Sequence, residues 1–195
     1  MGHTNMLISK FDTANISEHI KMFEEKHGFA FPGEYRRFLE KYNGGRTPDT
    51  DFRLNKVSSD IRGFYGFGDA DKYYNYRSIE TIGFFSVWLH DGKVPVASNS
   101  FGDYILLGLG EEDSGKVYFF YHDRPKKYIE LAADFRSFVG KCKSKKIGHI
   151  RTIEERKQGM IDNGLGDEIS IESIKGWQAE IDLYSDIHQE ELLLD

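Results

Sequence analysis

Between residues 51 and 123 the chain repeats one pattern: short apolar or alternating runs broken by residues that turn the backbone. The runs are Asp51–Leu54, Ile61–Phe67, Phe84–Leu89, Val94–Ser98, Tyr104–Leu109 and Val117–His122. Asp91-Gly92, Gly102-Asp103 and the segment Glu111-Glu112-Asp113-Ser114-Gly115 lie between them. Runs this short cannot bury a core singly. Joined by tight turns, they predict strands of an antiparallel meander.

Helical periodicity brackets this region. A first helix is predicted from Ser17, with Ile16, Ile20 and Phe23 at helical spacing and Gly28 as its stop. A second follows in FPGEYRRFLEKYNGG, where Pro32 suits the first helical position because the N–H it lacks is not needed there. Tyr35, Phe38, Leu39 and Tyr42 form its apolar stripe, and Gly44 and Gly45 end it. A shorter helix is predicted around Lys72–Glu80, and another over Leu131–Lys143 on Leu131, Phe135, Phe138 and Val139. Arg151–Asn163 and Ile171–Leu192 read as helices of a tail. The second carries Ile171, Ile174, Trp177, Ile181, Tyr184 and Ile187 along one side. The class is α+β: one domain over residues 1–143, mainly antiparallel sheet flanked by helices, with an acidic helical extension over 144–195.

Charge narrows the function classes. Thirty-two acids against 26 Lys and Arg leave a net −6. A direct nucleic-acid binder would show a basic footprint, so that class is not expected, and a basic partner is. With Cys142 as the only cysteine, no intramolecular disulfide can form, and a cytoplasmic location is expected. No stretch has the length and apolarity of a membrane span or a signal peptide, so no membrane partner is expected.

The candidate chemical motifs fail on their own requirements. Gly110 to Lys116 resembles a phosphate-cradling loop, but Val117 replaces the needed Ser or Thr, and three acids would repel the anion. His90-Asp91, His122-Asp123 and Asp69-Ala70-Asp71 lack the further ligands that would complete a metal site. Cys142 sits beside Lys141 and Lys143, yet no signature supplies it with a catalytic His, and a structural thiol is the better reading. No catalytic residue, cofactor or metal is therefore expected. The aromatic-rich stretch Phe64–Tyr76 reads as sheet packing or as an exposed interaction platform.

Two segments together resemble the SUKH superfamily, typified by fungal cell-wall-assembly regulators and bacterial immunity proteins. In the first, Pro32, Glu34, Tyr35, Phe38, Leu39, Asn43, Gly44 and Gly45 match the family's helix-opening signature. In the second, Pro95, Phe101, Gly102, Asp103, Gly115, Val117, His122 and Asp123 fit its core hairpin. The resemblance spans roughly residues 16–142 and leaves the tail unassigned. It implies a SUKH-like fold and a binding function rather than catalysis: an immunity protein that neutralises a cognate toxin, with a basic nuclease the expected kind. The alternative is a scaffold of the cell-wall-assembly-regulator type. The partner-binding surface is expected where acids meet aromatics, at Asp69, Asp71, Tyr73 and Tyr74, and at the hairpin ends with Asp103, Glu111, Glu112 and Asp113. The tail's stripe is expected to face the chain's own sheet domain, a second copy in a homodimer, or the toxin. Its acids Glu172, Glu180, Asp182, Asp186 and Glu190 would then face solvent.

Overall fold

The computed structural model describes residues 5–124, 127–185 and 187–194. Its contacts divide the chain into two compact units, one of residues up to Lys146 together with those from Gln189 on, the other Ile147–His188.

The first unit is built on a sheet with nine strands among the described residues, antiparallel throughout. They are β1 (Leu7–Lys10), β2 (Gly45–Leu54), β3 (Val57–Phe64), β4 (Lys93–Ser98), β5 (Tyr104–Gly108), β6 (Val117–Phe120), β7 (Tyr128–Ala132), β8 (Lys143–Ser144) and β9 (Glu190–Glu191). The order is β7-β6-β5-β4-β3-β2-β1-β9, with β8 paired to β2. From β2 to β7 each strand neighbours the next in sequence, and as far as β6 this is the meander that the turn residues predict.

Helices α1 (Ile16–His27) and α2 (Gly33–Tyr42) precede it. Helix α1 stops at Gly28, whose φ of 71° is the left-handed conformation glycine adopts without strain. The stripe of α2 is wholly buried: Phe38 lies 5.2 Å from Phe64 of β3, edge to face. Three short helices complete the unit, α3 (Tyr76–Ile79), α4 (Phe85–His90) and α5 (Phe135–Lys141).

Two expectations need correction. Phe84–Leu89 is not a strand but forms α4: Phe85 and Trp88, three residues apart, are buried while Val87 between them is exposed. An apolar run of six cannot by its periodicity separate a strand from one and a half helical turns. Leu131 belongs to β7, and the helix predicted from it begins at Phe135. There Asp134 takes an extended conformation and accepts a 2.6 Å hydrogen bond from the Ser137 N–H. That bond holds the Asp134 carboxyl below its ordinary pKa. We expect Asp134→Ala to cost about 1 kcal/mol near neutral pH. A depressed folded-state pKa contributes stability above the unfolded carboxylate pKa and loses it as pH falls through the folded value. Urea midpoints of the two proteins should therefore converge in acid; a constant gap would show that the cap is not the cause.

The second unit contains α6 (Ile153–Asp162) and α7 (Ile171–Ser185). Helix α6 opens with a reciprocal cap, Thr152 bonding the Glu155 N–H while the Glu155 carboxylate accepts from the Thr152 N–H. Arg156 reaches Glu180 of α7 at 2.8 Å. Neither helix contains a buried side chain. The expected helix through Leu192 ends at Ser185, and Asp186 lies outside the described residues. Beyond it the chain returns to the first unit as β9. Glu191 pairs with Leu7, the Leu192 N–H donates to the Met6 carbonyl at 2.8 Å, and Leu192 is buried. The expected C-terminal helices are thus present, and a two-residue strand that follows them, β9, joins the sheet.

Candidate protein-interaction surface

The Asn-Gly-Gly that ends α2 determines where the next important loop lies. Asn43 is buried in the left-handed conformation, φ 51°. Its amide accepts from the Phe67 N–H at 2.8 Å and donates to the Phe67 carbonyl at 3.0 Å and the Asp12 carbonyl at 2.5 Å. Gly66 must approach this clamp so closely that a Cβ there would stand 2.0 Å from the Asn43 carbonyl oxygen. Held at Phe67, the chain turns over. Asp71 accepts from the Tyr73 N–H at 2.9 Å and starts a single 3₁₀ turn, Lys72–Tyr74. The Asn75 side chain closes the loop, donating to the Gly68 and Ala70 carbonyls. The Tyr74 ring settles over Gly63, where any Cβ would meet it at 2.9 Å. Tyr73 is left projecting, 71% exposed, with the Lys72 ammonium 4.8 Å from its ring centroid.

A second turn presents another aromatic. Between β4 and β5 the Asn99 side chain accepts from the N–H groups of Phe101 (2.9 Å) and Asp103 (2.8 Å) and donates to Ser59 and Asp103. Asp103 in turn accepts from the His122 N–H at 3.1 Å and contacts its Nδ1 at 2.8 Å. Gly102, φ 83°, completes the bend, and Phe101 stands at its tip, 73% exposed. Asp60 of β3 holds the second turn. It accepts from the Ser100 hydroxyl at 3.0 Å and pairs with Arg62 at 3.1 Å. Arg46 and Asp71 form a further pair at 3.5 Å. Burial raises the Tyr74 hydroxyl's pKa, and Arg62, Asp71, Arg46 and Asp60 all act on it, so these charges gather round one ring. The result is two projecting aromatics, each on an ordered turn, with opposed charges gathered round Tyr74.

The structure sorts the expected partner-binding residues. Asp71, Tyr73 and Tyr74 converge on this surface, and Asp69 is exposed on the same loop. Asp103 does not face solvent: it is 6% exposed, and its carboxylate organises the turn. Glu111 and Glu112 are exposed, whereas Asp113 is turned inward, accepting from the Gly110 N–H and pairing with Lys93 at 3.1 Å. These three lie across β5 from Asp103, and five extended residues span about 17 Å. They do not form one patch with it. Asp60, Asp69 and Asp71 are matched by Arg46, Arg62 and Lys72, so the surface is locally balanced rather than acidic. Sequence reasoning missed Phe101 as an exposed aromatic; the available signal was a Phe set between Ser100 and Gly102 in a turn.

The remaining motifs are structural. Gly110 to Lys116 is the β5–β6 turn. Cys142 is buried, donates to the Phe138 carbonyl, and has its thiol pKa raised by burial, the opposite of what a nucleophile needs. Among the described residues no group of three or more His, Cys, Asp or Glu could hold a metal ion, and no helix is long and apolar enough to cross a membrane.

Residues 17–141 match the SMI1 / KNR4 family (SUKH-1), a span that includes both aromatic turns. The chain is also similar to the SPbeta prophage-derived uncharacterized protein YokK of Bacillus subtilis (strain 168). The two are 26% identical over 152 residues, covering 67% of this chain and 76% of that protein.

Proposed function

Since the chain belongs to the SMI1 / KNR4 family (SUKH-1), we propose that it is a cytoplasmic immunity protein. It binds and blocks a cognate toxin domain without catalysis, and the toxin is a nuclease. The observation that carries the reading is the pair of projecting aromatics, Tyr73 and Phe101, each on a turn held by side-chain hydrogen bonds. Large apolar rings turned to solvent contribute nothing to the fold. On a partner they act as anchors, and because their turns are already ordered, little backbone entropy is lost on binding. The net −6 supports a basic partner such as a phosphate-binding nuclease. Since the charges round Tyr74 are locally paired, that net charge acts mainly through long-range steering of the encounter.

The test is to sequence the genes beside this chain's gene and to co-express the chain with any toxin domain found there, which should restore growth. Cells still poisoned while both proteins are soluble would overturn the proposal, and several weak partners without protection would favour the scaffold alternative. Tyr73→Ala and Phe101→Ala should each weaken binding to a catalytically inactive toxin domain by about 10–30-fold, read by calorimetry. Their unfolding free energies should stay within about 0.5 kcal/mol of the parent, as exposed positions allow.

A further inference from the structure

We propose that the inserted helical unit, residues 147–188, is a second docking surface for the same basic partner. The inference rests on the function proposed above and adds where else the partner is held.

Three observations carry it. Helices α6 and α7 bury no side chain, and Ile161, Ile171 and Leu183 are each more than half exposed. A two-helix unit of this size without a buried core is marginal, so apolar side chains kept on its surface point to a protein that covers them. The insertion is also not needed to close the sheet. Its two ends meet at one residue: the Leu7 N–H donates to the Ser144 hydroxyl at 2.8 Å, and Leu7 pairs with Glu191. The third observation selects the occupant. Residues 147–188 carry nine acids and four Lys or Arg. A second copy would bring the same negative charge against this face, whereas a basic protein complements it while covering the apolar side chains.

The test uses the inactive toxin domain as probe and two double variants of the full chain. Leu183→Ser with Tyr184→Ser removes apolar contact, and Glu172→Lys with Asp182→Lys reverses charge. Each should weaken binding about tenfold or more. The charge variant should also slow association and flatten its salt dependence. Circular dichroism establishes that the helices persist. A third variant replaces 147–188 with a short Gly-Ser linker and keeps β9; it should fold cooperatively and bind as weakly as the double variants. If that variant fails to fold, the double variants decide.

Double variants that bind as the parent does, while Tyr73→Ala and Phe101→Ala lose binding, would overturn this inference and leave the proposed function standing. No binding by the parent chain would overturn both. A parent that sediments as a dimer and becomes a monomer in the double variants would make the unit a self-interface and overturn the inference alone.

Discussion

Asn43→Ala should destabilise the first unit by about 3–4 kcal/mol, a large share of the ~5–15 kcal/mol typical of a domain. Two costs combine. Alanine in the left-handed conformation that Asn43 occupies costs about 1–2 kcal/mol. Loss of the amide also removes the side-chain partner of the Phe67 N–H and of the Phe67 and Asp12 carbonyls. Each buried group left unpaired costs about 1–3 kcal/mol, reduced wherever water reaches it. Asn43→Gly should recover about 1 kcal/mol, because glycine accepts the backbone conformation but restores no hydrogen bond. Urea unfolding of the three proteins checks this, with a lower midpoint at an unchanged slope. A loss below about 1 kcal/mol for the alanine variant would mean that the clamp contributes little. The same variant should loosen the 66–76 loop and weaken partner binding beyond the effect of Tyr73→Ala alone, because Tyr74 and Asp71 lose their placement as well.

Trp88→Ala is the second large effect, about 3–5 kcal/mol. Trp88 is fully buried on α4, and its ring lies 4.8 Å from Tyr104, 5.3 Å from Phe120 and 5.9 Å from Phe84. Removing it leaves a void between α4 and the β5–β6 hairpin that rigid strands cannot fill. Trp88→Phe should cost less than about 1.5 kcal/mol. The indole Nε1–H has no partner among the described residues, so phenylalanine loses some contact area but also removes an unpaired buried donor. Thermal unfolding of both variants separates these contributions. If phenylalanine is as damaging as alanine, the indole N–H is not an uncompensated cost at this site.

Much of the architecture is legible in the sequence because turn chemistry and period agree there. Helices α1, α2 and α6, and the order of β2 to β6, follow from them; β7 is hidden because Leu131 fits the apolar spacing of the helix that follows it. What escapes is short or two-sided. Strands β1, β8 and β9 comprise four, two and two residues, below the length at which alternation carries information. The aromatic stretch Phe64–Tyr76 draws attention for sound reasons and still misleads if taken whole. Phe64, Tyr65, Phe67 and Tyr76 are core, Tyr74 is half-buried, and Tyr73 alone of the six projects. The division depends on where Asn43, remote in sequence, seizes the chain. In the β4–β5 turn hydropathy gives the reverse of the true answer at near neighbours. Phe101 is exposed and Asp103 buried, because the carboxylate has three hydrogen-bonding groups to organise, the Asn99 amide and the backbone and ring N–H sites of His122, while the Phe101 ring lies at the apex.

The pairing of β1 with β9 has a consequence for biosynthesis. Asn5 and Glu191, hydrogen-bonded to each other, are 186 residues apart. At about 5–20 residues per second, translation needs roughly ten to forty seconds to join one to the other. Throughout that interval the outer edge of β1 has no partner from its own chain, and the place of Leu192 in the core stays empty. The strand that closes the edge of β1 is therefore made long after β1 itself, and a nascent chain stalled between the two carries an open strand edge of the kind that chaperones exist to shield.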